Sequence, residues 1–343
     1  MYILFAYYFV GGILAFFASY YFVKWIIPFH KEIGLFGVDI NKPDRPVVAE
    51  SAGVPIVLAQ ILGLSIVLIF DQLTFQLFTL PDAVKLEVLA LASSLMVIIG
   101  YLEDLTLIFK RNLKKKNIKE VKKIGFSQKL KLLLPLIPAL PVILVNIKKH
   151  TISLLFHKIF DVGLLYPLLL IPVGLSGAAN ATNILAGLNG LEAMLGIVTG
   201  GGITIYAFHH QIFDVALYGI VFVASLLGFY MHNKYPSKIF PGDSVNYFIG
   251  FSIAGMAIQG DLEKFALSIF VIWFIELVLK ARSKFQAECY GVPQKDGSLA
   301  KIRPGIYSFT HLFMDKGLSE KQIAKYITLI QAIIVAIMLF FTW

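Results

Sequence analysis

Long runs of apolar residues, separated by short polar stretches, recur along the whole chain. The runs are about 17–25 residues long, the length of an α-helix that crosses the hydrocarbon core of a bilayer. They predict ten membrane-spanning helices, at about 3–27, 54–72, 86–101, 130–147, 163–179, 193–208, 212–231, 245–260, 265–280 and 324–342. The fourth run contains Pro135, Pro138 and Pro141 and is therefore expected to be kinked.

The composition supports a membrane protein. Of the 343 residues, 58% are hydrophobic and 15% are charged, whereas about 25% are charged in a soluble protein. The prediction is an all-α polytopic membrane protein of about ten transmembrane helices, with catalytic cytoplasmic loops. No linker is long enough to separate domains, so residues 1–343 are predicted to form one integral-membrane domain, with a longer cytoplasmic loop at about 281–322. The single cysteine, Cys289, excludes a disulfide within the chain.

The positive charge is unevenly distributed. Lysine and arginine concentrate in the loops after the first, third, seventh and ninth runs, above all between Lys110 and Lys123. The positive-inside rule therefore places the odd-numbered loops in the cytoplasm and both termini outside. Because the excess is local, the net charge of +9 indicates loops that face anionic lipids or anionic substrates, and nucleic acid is not expected as a partner.

The unusual polar motifs lie in the same odd-numbered loops. The stretch from Asn180 to Glu192 contains three asparagines beside apolar runs, and buried amides are costly unless they bind something. It is either an ordinary turn or a binding loop.

Glu103 and Asp104 end the third run. They either balance the basic residues that follow or hold a metal or a phosphate.

Three further loops carry candidate groups. Glu50 ends a Pro-rich stretch that is either a connector or an anion-handling loop. Asp243 opens the eighth run, where a carboxylate is stabilised by the helix dipole and could also serve a metal-bound diphosphate. Phe240 beside it could stack on a planar ring. In the last loop, a lone histidine such as His311 is more often structural than catalytic.

Together these groups favour phosphoryl transfer. Carboxylate and amide oxygens suit Mg²⁺, with Mn²⁺ as an alternative, and positioning plus charge neutralisation accounts for most of that chemistry. The chain contains neither a P-loop nor a dinucleotide-binding glycine motif. A transporter or channel is the competing class, since polar residues within spans mark ion pathways. Against it, the span interiors hold almost no charge apart from Glu276.

Four motifs in order, KPDRPVVAES (42–51), GYLED (100–104), NATNILAGLNGLE (180–192) and PSKIFPGDSVNYFIG (236–250), resemble the polyprenyl-phosphate N-acetylhexosamine-1-phosphate transferases. The most similar branch is the archaeal and eukaryotic UDP-GlcNAc:dolichyl-phosphate GlcNAc-1-phosphotransferases of glycosyltransferase family 4. The resemblance implies transfer of GlcNAc-1-phosphate from UDP-N-acetylglucosamine to dolichyl (polyprenyl) phosphate, the first lipid-linked step of N-glycan assembly. The products would be dolichyl-diphospho-GlcNAc and UMP. Another UDP-N-acetylhexosamine donor is the alternative.

The resemblance also implies roles for the donor-side residues. Asn183 and Asp243 are expected to bind Mg²⁺ on the diphosphate. Asn189 and Phe240 are expected to hold uracil, by amide contacts and stacking. Glu50 is expected near the diphosphate.

On the acceptor side, the resemblance assigns Asp104, with Glu103, to the acceptor phosphate, and Lys114 to phosphate contact. Orientation is favoured over deprotonation, because a phosphate is already largely ionised near pH 7. The chain departs from the family in having Glu103 where two aspartates are usual, and Cys289-Tyr290-Gly291 where the eukaryotic members have Arg-His-Arg. Other basic residues are therefore expected to recognise the diphosphate and N-acetyl group: Arg282, Lys284, Arg303 and His311.

The expected location is an archaeal plasma membrane rather than the endoplasmic reticulum, because the last loop is short, with the active site on the cytoplasmic face. Membrane lipid is an expected partner. The sequence does not determine the oligomeric state, and a homodimer is one option.

Overall fold

The computed structural model describes residues 2–115, 126–153 and 159–342, and for a few residues beside the gaps, Lys114 among them, only the backbone. Its α-helices are α1 (Tyr2–Ile33), α2 (Gly53–Leu73), α3 (Leu80–Lys115), α4 (Gln128–Leu133), α5 (Leu136–Val145), α6 (Ile171–Ile184), α7 (Leu191–His209), α8 (Phe213–Asn233), α9 (Gly242–Gly260), α10 (Glu263–Ile269), α11 (Val271–Arg282), α12 (Phe309–Met314) and α13 (Glu320–Thr342). A π-helical turn at Tyr166–Leu170 leads directly into α6.

Six helices are long and apolar enough to cross a membrane, judged by length and composition in the described part of the chain. They are α1, α2, residues Leu80–Thr106 of α3, α7, α8 and α13. These helices confirm the first, second, third, sixth, seventh and tenth predicted spans. The protein is therefore a largely helical, polytopic membrane protein.

The other four predicted spans are shorter, broken or less apolar. The fourth is interrupted at Pro135 between α4 and α5, which confirms the kink expected from its prolines. The fifth combines the π-helical turn with α6, and the ninth is interrupted at Phe270 between α10 and α11. The eighth is α9. The total of ten spans therefore stays a prediction.

Helix α9 lies at the centre of the molecule. It packs against α3, α6, α7 and α8, and almost all of its residues are buried. Small residues allow the close approach of its neighbours. A Cβ at Gly100 of α3 would lie 2.5 Å from the Cα of Ser244. The N-terminus of α9, which carries Asp243, is thus held against the end of α3.

Short strands order the loops, which the all-α prediction omitted. They are β1 (Phe36–Val38), β2 (Val47–Glu50), β3 (Thr151–Ser153), β4 (Ile159–Asp161), β5 (Ile239–Phe240), β6 (Val292–Pro293) and β7 (Leu299–Ala300). Strand β2 pairs antiparallel with β1 and parallel with β5, and the remaining strands form the antiparallel pairs β3–β4 and β6–β7. Extended backbone lets loops that are distant in sequence satisfy their polar groups against one another. The three-stranded sheet therefore fixes the first loop beside the segment that precedes α9.

The last loop is anchored by Glu276, a fully buried residue of α11. Its carboxylate accepts hydrogen bonds from the backbone nitrogen of Phe309 at 2.7 Å and from the hydroxyl of Ser308 at 3.2 Å. These two residues begin α12. Nζ of Lys280 lies 3.7 Å from Oε1 of Glu276. The carboxylate in the ninth predicted span thus supports the loop, and its bonding gives no reason to place it on an ion pathway.

Candidate active site

A cavity of about 330 Å³ opens where the loops that carry the motifs meet. Its volume lies at the lower end of the range for small-molecule sites. Its lining comes from the first loop, the end of α6, the α6–α7 loop, the N-terminus of α9 and the last loop. Glu50, Asn183, Asn189, Phe240 and Asp243 all contribute to it. The structure therefore brings together five of the residues that the sequence nominated.

The lining is acidic and rich in amides. It contains the carboxylates of Asp39, Glu50, Glu192 and Asp243 and the amides of Asn41, Asn183, Asn189, Asn233 and Asn246. Among the described lining residues there is no lysine, arginine or histidine. A phosphate-bearing ligand would therefore meet negative charge here unless a cation came with it.

Three buried acceptor atoms of this lining lack a hydrogen-bond partner. They are Oε2 of Glu192, Oδ1 of Asn233 and Oδ1 of Asn246. A buried acceptor without a partner costs about 1–3 kcal/mol. All three atoms are shielded from solvent in this arrangement, so a ligand that supplies hydrogen-bond donors or a cation would reach them only if the lining shifted.

Asp104 caps the first turn of α9. Its Oδ1 accepts a hydrogen bond from the backbone nitrogen of Asp243 at 2.8 Å, and its Oδ2 accepts one from the backbone nitrogen of Ser244 at 3.3 Å. Gly242 has a positive φ of 69°, and a Cβ there would overlap the Asp104 carboxylate. Asp104 is buried and does not line the cavity. In this arrangement it positions Asp243, and its predicted contact with the acceptor phosphate stays a prediction.

Lys131, in α4, forms ion pairs with both Glu103 and Asp243. Its Nζ lies 3.1 Å from Oε1 of Glu103 and 3.0 Å from Oδ2 of Asp243. Sequence reasoning missed this residue and chose Lys114, whose side chain lies outside the described residues. Its position in the sequence could have indicated this role. Lys131 lies at the start of the fourth apolar run, where a lysine side chain is expected at the edge of the membrane.

Asn183 meets Asp243, as the sequence predicted. Its Nδ2 donates to Oδ1 of Asp243 at 3.0 Å, and its Oδ1 accepts from Nδ2 of Asn246 at 2.9 Å. Asn183 lies in the last turn of α6, one turn after Asn180, which donates instead to the carbonyl oxygen of Ser176. An amide oxygen has two lone pairs, and Asn183 Oδ1 accepts one hydrogen bond here, so it can also bind a metal without a turn of either amide.

The oxygen atoms around Asp243 are compatible with magnesium as the bound ion. The described residues contain no cluster of three or more His, Cys, Asp or Glu side chains that could enclose a metal ion. Magnesium seldom needs one, because it is usually bound through one or two carboxylates together with waters and substrate phosphates. Asp243, Asn183 and the unpartnered oxygen of Asn246 supply only oxygen-type ligands, which is the chemistry that this ion prefers.

Glu50 and Phe240 lie side by side. They are paired in the parallel register of β2 and β5. A Cβ at Gly37 of β1 would lie 2.8 Å from Oε2 of Glu50 and 2.8 Å from the ring of Phe240. The absence of a side chain at Gly37 therefore makes room for a carboxylate and an aromatic face at the same edge of the cavity.

Asn189 is held by a buried polar network. Its Oδ1 accepts from Nζ of Lys42 at 3.0 Å and from the backbone nitrogen of Ser237 at 2.7 Å, and its Nδ2 donates to Oδ2 of Asp39 at 3.1 Å. Burial alone would lower the pKa of Lys42, but the hydrogen bonds and charges of Asp39 and Glu320 raise it overall. The oxygen of Asn189 is fully used. For its predicted uracil contact, only its second Nδ2–H is available.

The basic residues of the last loop do not line the cavity. The guanidinium of Arg282 lies 6.0 Å from the ring centroid of Tyr307, and Nε of Arg303 lies 3.7 Å from Oε2 of Glu288. Lys284 is likewise absent from the lining. Their predicted contacts with the substrate stay a prediction.

His311 is buried, and both of its ring nitrogens are used. The backbone nitrogen of Tyr307 donates to Nδ1 at 3.3 Å, so Nε2 carries the proton and donates to the carbonyl oxygen of Glu288 at 2.9 Å. Burial lowers the pKa of His311. The residue thus supports the loop. Tyr290, which the sequence analysis assigned no role, is the last-loop residue that reaches the cavity.

The order of these groups along the chain matches a known family. The sequence model of glycosyl transferase family 4 matches residues 86–261, a segment that includes Glu103, Asp104, Lys131, Asn183 and Asp243. The chain belongs to glycosyl transferase family 4. The resemblance seen in the four sequence motifs is thereby confirmed at the level of the family, and the protein is a membrane transferase.

Named relatives of this family 4 transferase cover most of its length. A protein of Saccharolobus solfataricus, provisionally named a UDP-N-acetylglucosamine–dolichyl-phosphate N-acetylglucosaminephosphotransferase, is 28% identical over 89% of this chain and 87% of its own. A protein of Sulfolobus acidocaldarius with the same provisional name is 31% identical over 86% of this chain and 83% of its own. A phospho-N-acetylmuramoyl-pentapeptide-transferase of Halalkalibacterium halodurans is 30% identical over 73% of this chain and 74% of its own.

Proposed function

We propose that this transferase moves GlcNAc-1-phosphate from UDP-N-acetylglucosamine to dolichyl phosphate. An oxygen of the acceptor phosphate forms a bond to the β-phosphorus of the donor, and the bond from that phosphorus to the bridging oxygen breaks. Dolichyl-diphospho-GlcNAc and UMP are the products. The names of the relatives from Saccharolobus solfataricus and Sulfolobus acidocaldarius support this choice of substrates. The observation that carries it is the cavity where Glu50, Asn183 and Asp243 converge beside Lys131.

The acidic lining supports a divalent cation as cofactor, Mg²⁺ or Mn²⁺. Asp243 and Asn183 are the residues that would hold it, with Glu50 in the same cavity. When bound, the ion would neutralise charge on the diphosphate. Without such an ion, the charges of Glu50 and Asp243 would disfavour the donor diphosphate, and Lys131 offsets only part of that of Asp243.

The residues around the cavity would then hold the reacting groups in place. Asp104 fixes the first turn of α9, so that Asp243 projects into the cavity. Lys131 places one positive charge between Glu103 and Asp243, at the edge of the cavity. Since the acceptor phosphate is already ionised near pH 7, these groups need to orient it and offset its charge, and no strong general base is required.

The membrane arrangement belongs to the same proposal. In it, the four interrupted or less apolar segments complete ten spans, the cavity faces the cytoplasm and both termini lie outside. The concentration of basic residues in the odd-numbered loops supports this orientation. The short last loop favours an archaeal plasma membrane. The reaction would then supply the first lipid-linked intermediate of N-glycan assembly.

A second candidate keeps the chemistry and changes the donor. The relative from Halalkalibacterium halodurans is named for a phospho-N-acetylmuramoyl-pentapeptide. A related UDP-N-acetylhexosamine could therefore replace UDP-N-acetylglucosamine.

The test is a transfer assay with purified protein, tritiated UDP-N-acetylglucosamine, dolichyl phosphate and Mg²⁺. We expect a labelled lipid that is absent when EDTA is added, and competing UDP-sugars rank the donors. Absence of labelled lipid from protein that still binds UDP-N-acetylglucosamine would refute the proposed transfer.

The metal assignment has its own test. Asp243→Asn and Asn183→Ala should each remove most of the turnover while the protein stays folded. Asp261→Asn is the matched control, because Asp261 lies at the other end of α9 and its side chain is 68% exposed. A near-normal rate for either cavity variant would show that the assignment is wrong.

A further inference from the structure

Tyr290 forms part of the cavity wall. It comes from the last loop and lies against Gly187 in the α6–α7 loop, where an added Cβ would be 3.3 Å from its Cδ1. Gly187 has a φ of 117°, a conformation that favours glycine. The two loops therefore meet closely at this point, with the phenol ring exposed to the cavity on one side.

The backbone on both sides of Tyr290 is held in place. The thiol of Cys289 donates to the carbonyl oxygen of Ile184 at 3.1 Å. The backbone nitrogen of Gly291 donates to Oδ1 of Asn41 at 3.1 Å. Cys289 is buried, and burial raises the pKa of its thiol to about 11, so it remains protonated and can donate. Tyr290 is thus fixed between the end of α6 and the first loop, which limits the entropy that a ligand contact would cost.

The hydroxyl of Tyr290 is the polar group of the side chain that this residue brings to the cavity wall. The structure gives its Oη no hydrogen bond to any described residue, and it is the only hydroxyl among the described residues of the lining. The other unpartnered atoms of the lining, on Glu192, Asn233 and Asn246, are acceptors. Burial raises the pKa of Tyr290, so the phenol stays protonated near neutral pH. It can therefore donate to a ligand oxygen where few donors are available.

We propose that Tyr290 binds the donor substrate, with its hydroxyl donating a hydrogen bond to an oxygen of the UDP-sugar and its ring covering one side of the cavity. This inference rests on the proposed function. It explains why the last loop can contribute to the site although Arg282, Arg303 and His311 are engaged elsewhere. Because the Tyr290 hydroxyl is neutral, it adds no positive charge that would compete with a metal ion for the carboxylates.

The test compares Tyr290→Phe and Tyr290→Ala with the control Tyr326→Phe. Tyr326 lies in α13, outside the cavity lining, and is 42% exposed. Titration calorimetry with UMP, UDP and UDP-N-acetylglucosamine, each with Mg²⁺, gives the Kd of every variant. For Tyr290→Phe we expect the Kd and KM of UDP-N-acetylglucosamine to rise about tenfold, the loss expected for one hydrogen bond to a charged or carbonyl oxygen. The kcat should change little, and Tyr290→Ala should lose more because the ring is also removed.

The three nucleotides locate the contact. A loss shared by UMP places it on the UMP portion, and a loss confined to UDP-N-acetylglucosamine places it on the sugar. Wild-type affinity of both Tyr290 variants for all three nucleotides, in protein that transfers normally, would overturn this inference alone. Absence of UDP-N-acetylglucosamine binding by the wild-type protein would instead count against the proposed function.

Discussion

Lys131 gives the sharpest test of the candidate site. Its ammonium lies 3.1 Å from Glu103 and 3.0 Å from Asp243, and the three side chains are 21%, 12% and 21% exposed, respectively. At an effective dielectric constant of about 20, each ion pair is worth about 5 kcal/mol before desolvation is subtracted. Removing one partner of a buried ion pair costs about 3–5 kcal/mol, because the remaining charge is left uncompensated. Since these side chains are partly exposed, we expect the lower end of that range.

The informative variant is Lys131→Met, which removes the charge and keeps much of the side-chain volume. We expect its thermal midpoint in detergent to fall by several degrees and its kcat to fall by about 10²–10³-fold, as when one group that stabilises transition-state charge is lost. Adding Glu103→Gln should restore part of the stability, because one uncompensated carboxylate disappears. It should not restore the rate.

Lys149→Met is the matched control. Lys149 pairs with Asp261 at the other end of α9, at 2.7 Å, and the Asp261 side chain is 68% exposed. The Lys149 side chain is 23% exposed and also donates to the backbone carbonyl oxygens of Ile258 and Gln259, so this variant should lose some stability. It should stay active, because these contacts lie at the end of α9 away from the cavity. Unchanged stability and rate in Lys131→Met would refute the role of Lys131. Recovery of the rate by Glu103→Gln would show that Lys131 serves only to neutralise Glu103.

Two further outcomes are expected. Gly242→Ala should reduce kcat by about 10²-fold, because a Cβ at this positive-φ position overlaps Asp104 and shifts the start of α9. Gly201→Ala is the control, since nothing lies within 4 Å of the added Cβ, and equal rates for the two variants would contradict the argument. Because burial lowers the pKa of His311, its stabilising contribution should be present above its usual pKa of about 6.5 and be lost as the pH falls through the lowered value. Thermal midpoints measured between pH 8 and pH 5 should therefore fall less in His311→Gln than in wild type, and parallel profiles would argue against this role.

The spans and motif loops could be predicted because their signals are local. A run of about 20 apolar residues is long enough to cross the bilayer wherever it occurs, and the described part of the chain contains six such helices. The four motif loops carried groups whose burial would be costly without partners, and five of the nominated side chains line one cavity.

Other features depend on contacts between distant parts of the chain. Lys131 lies far in sequence from Glu103 and Asp243, so its role became visible only when α4 was placed beside α9. Asp104 looked like a direct substrate contact in the sequence, yet in the structure both of its oxygens cap α9. Asn189 was chosen for its amide, and the structure commits the oxygen of that amide to Lys42 and Ser237.

The sequence by itself determined a helical membrane protein whose loops bear carboxylates and amides, because hydropathy and residue chemistry act locally. The tertiary structure alone decided which of those groups face the cavity, which of them support it, and that Tyr290 joins them. The physical reason is that a polar side chain near a membrane must satisfy its hydrogen bonds. Whether it does so with a neighbouring loop or remains available to a ligand depends on which segments fold against it.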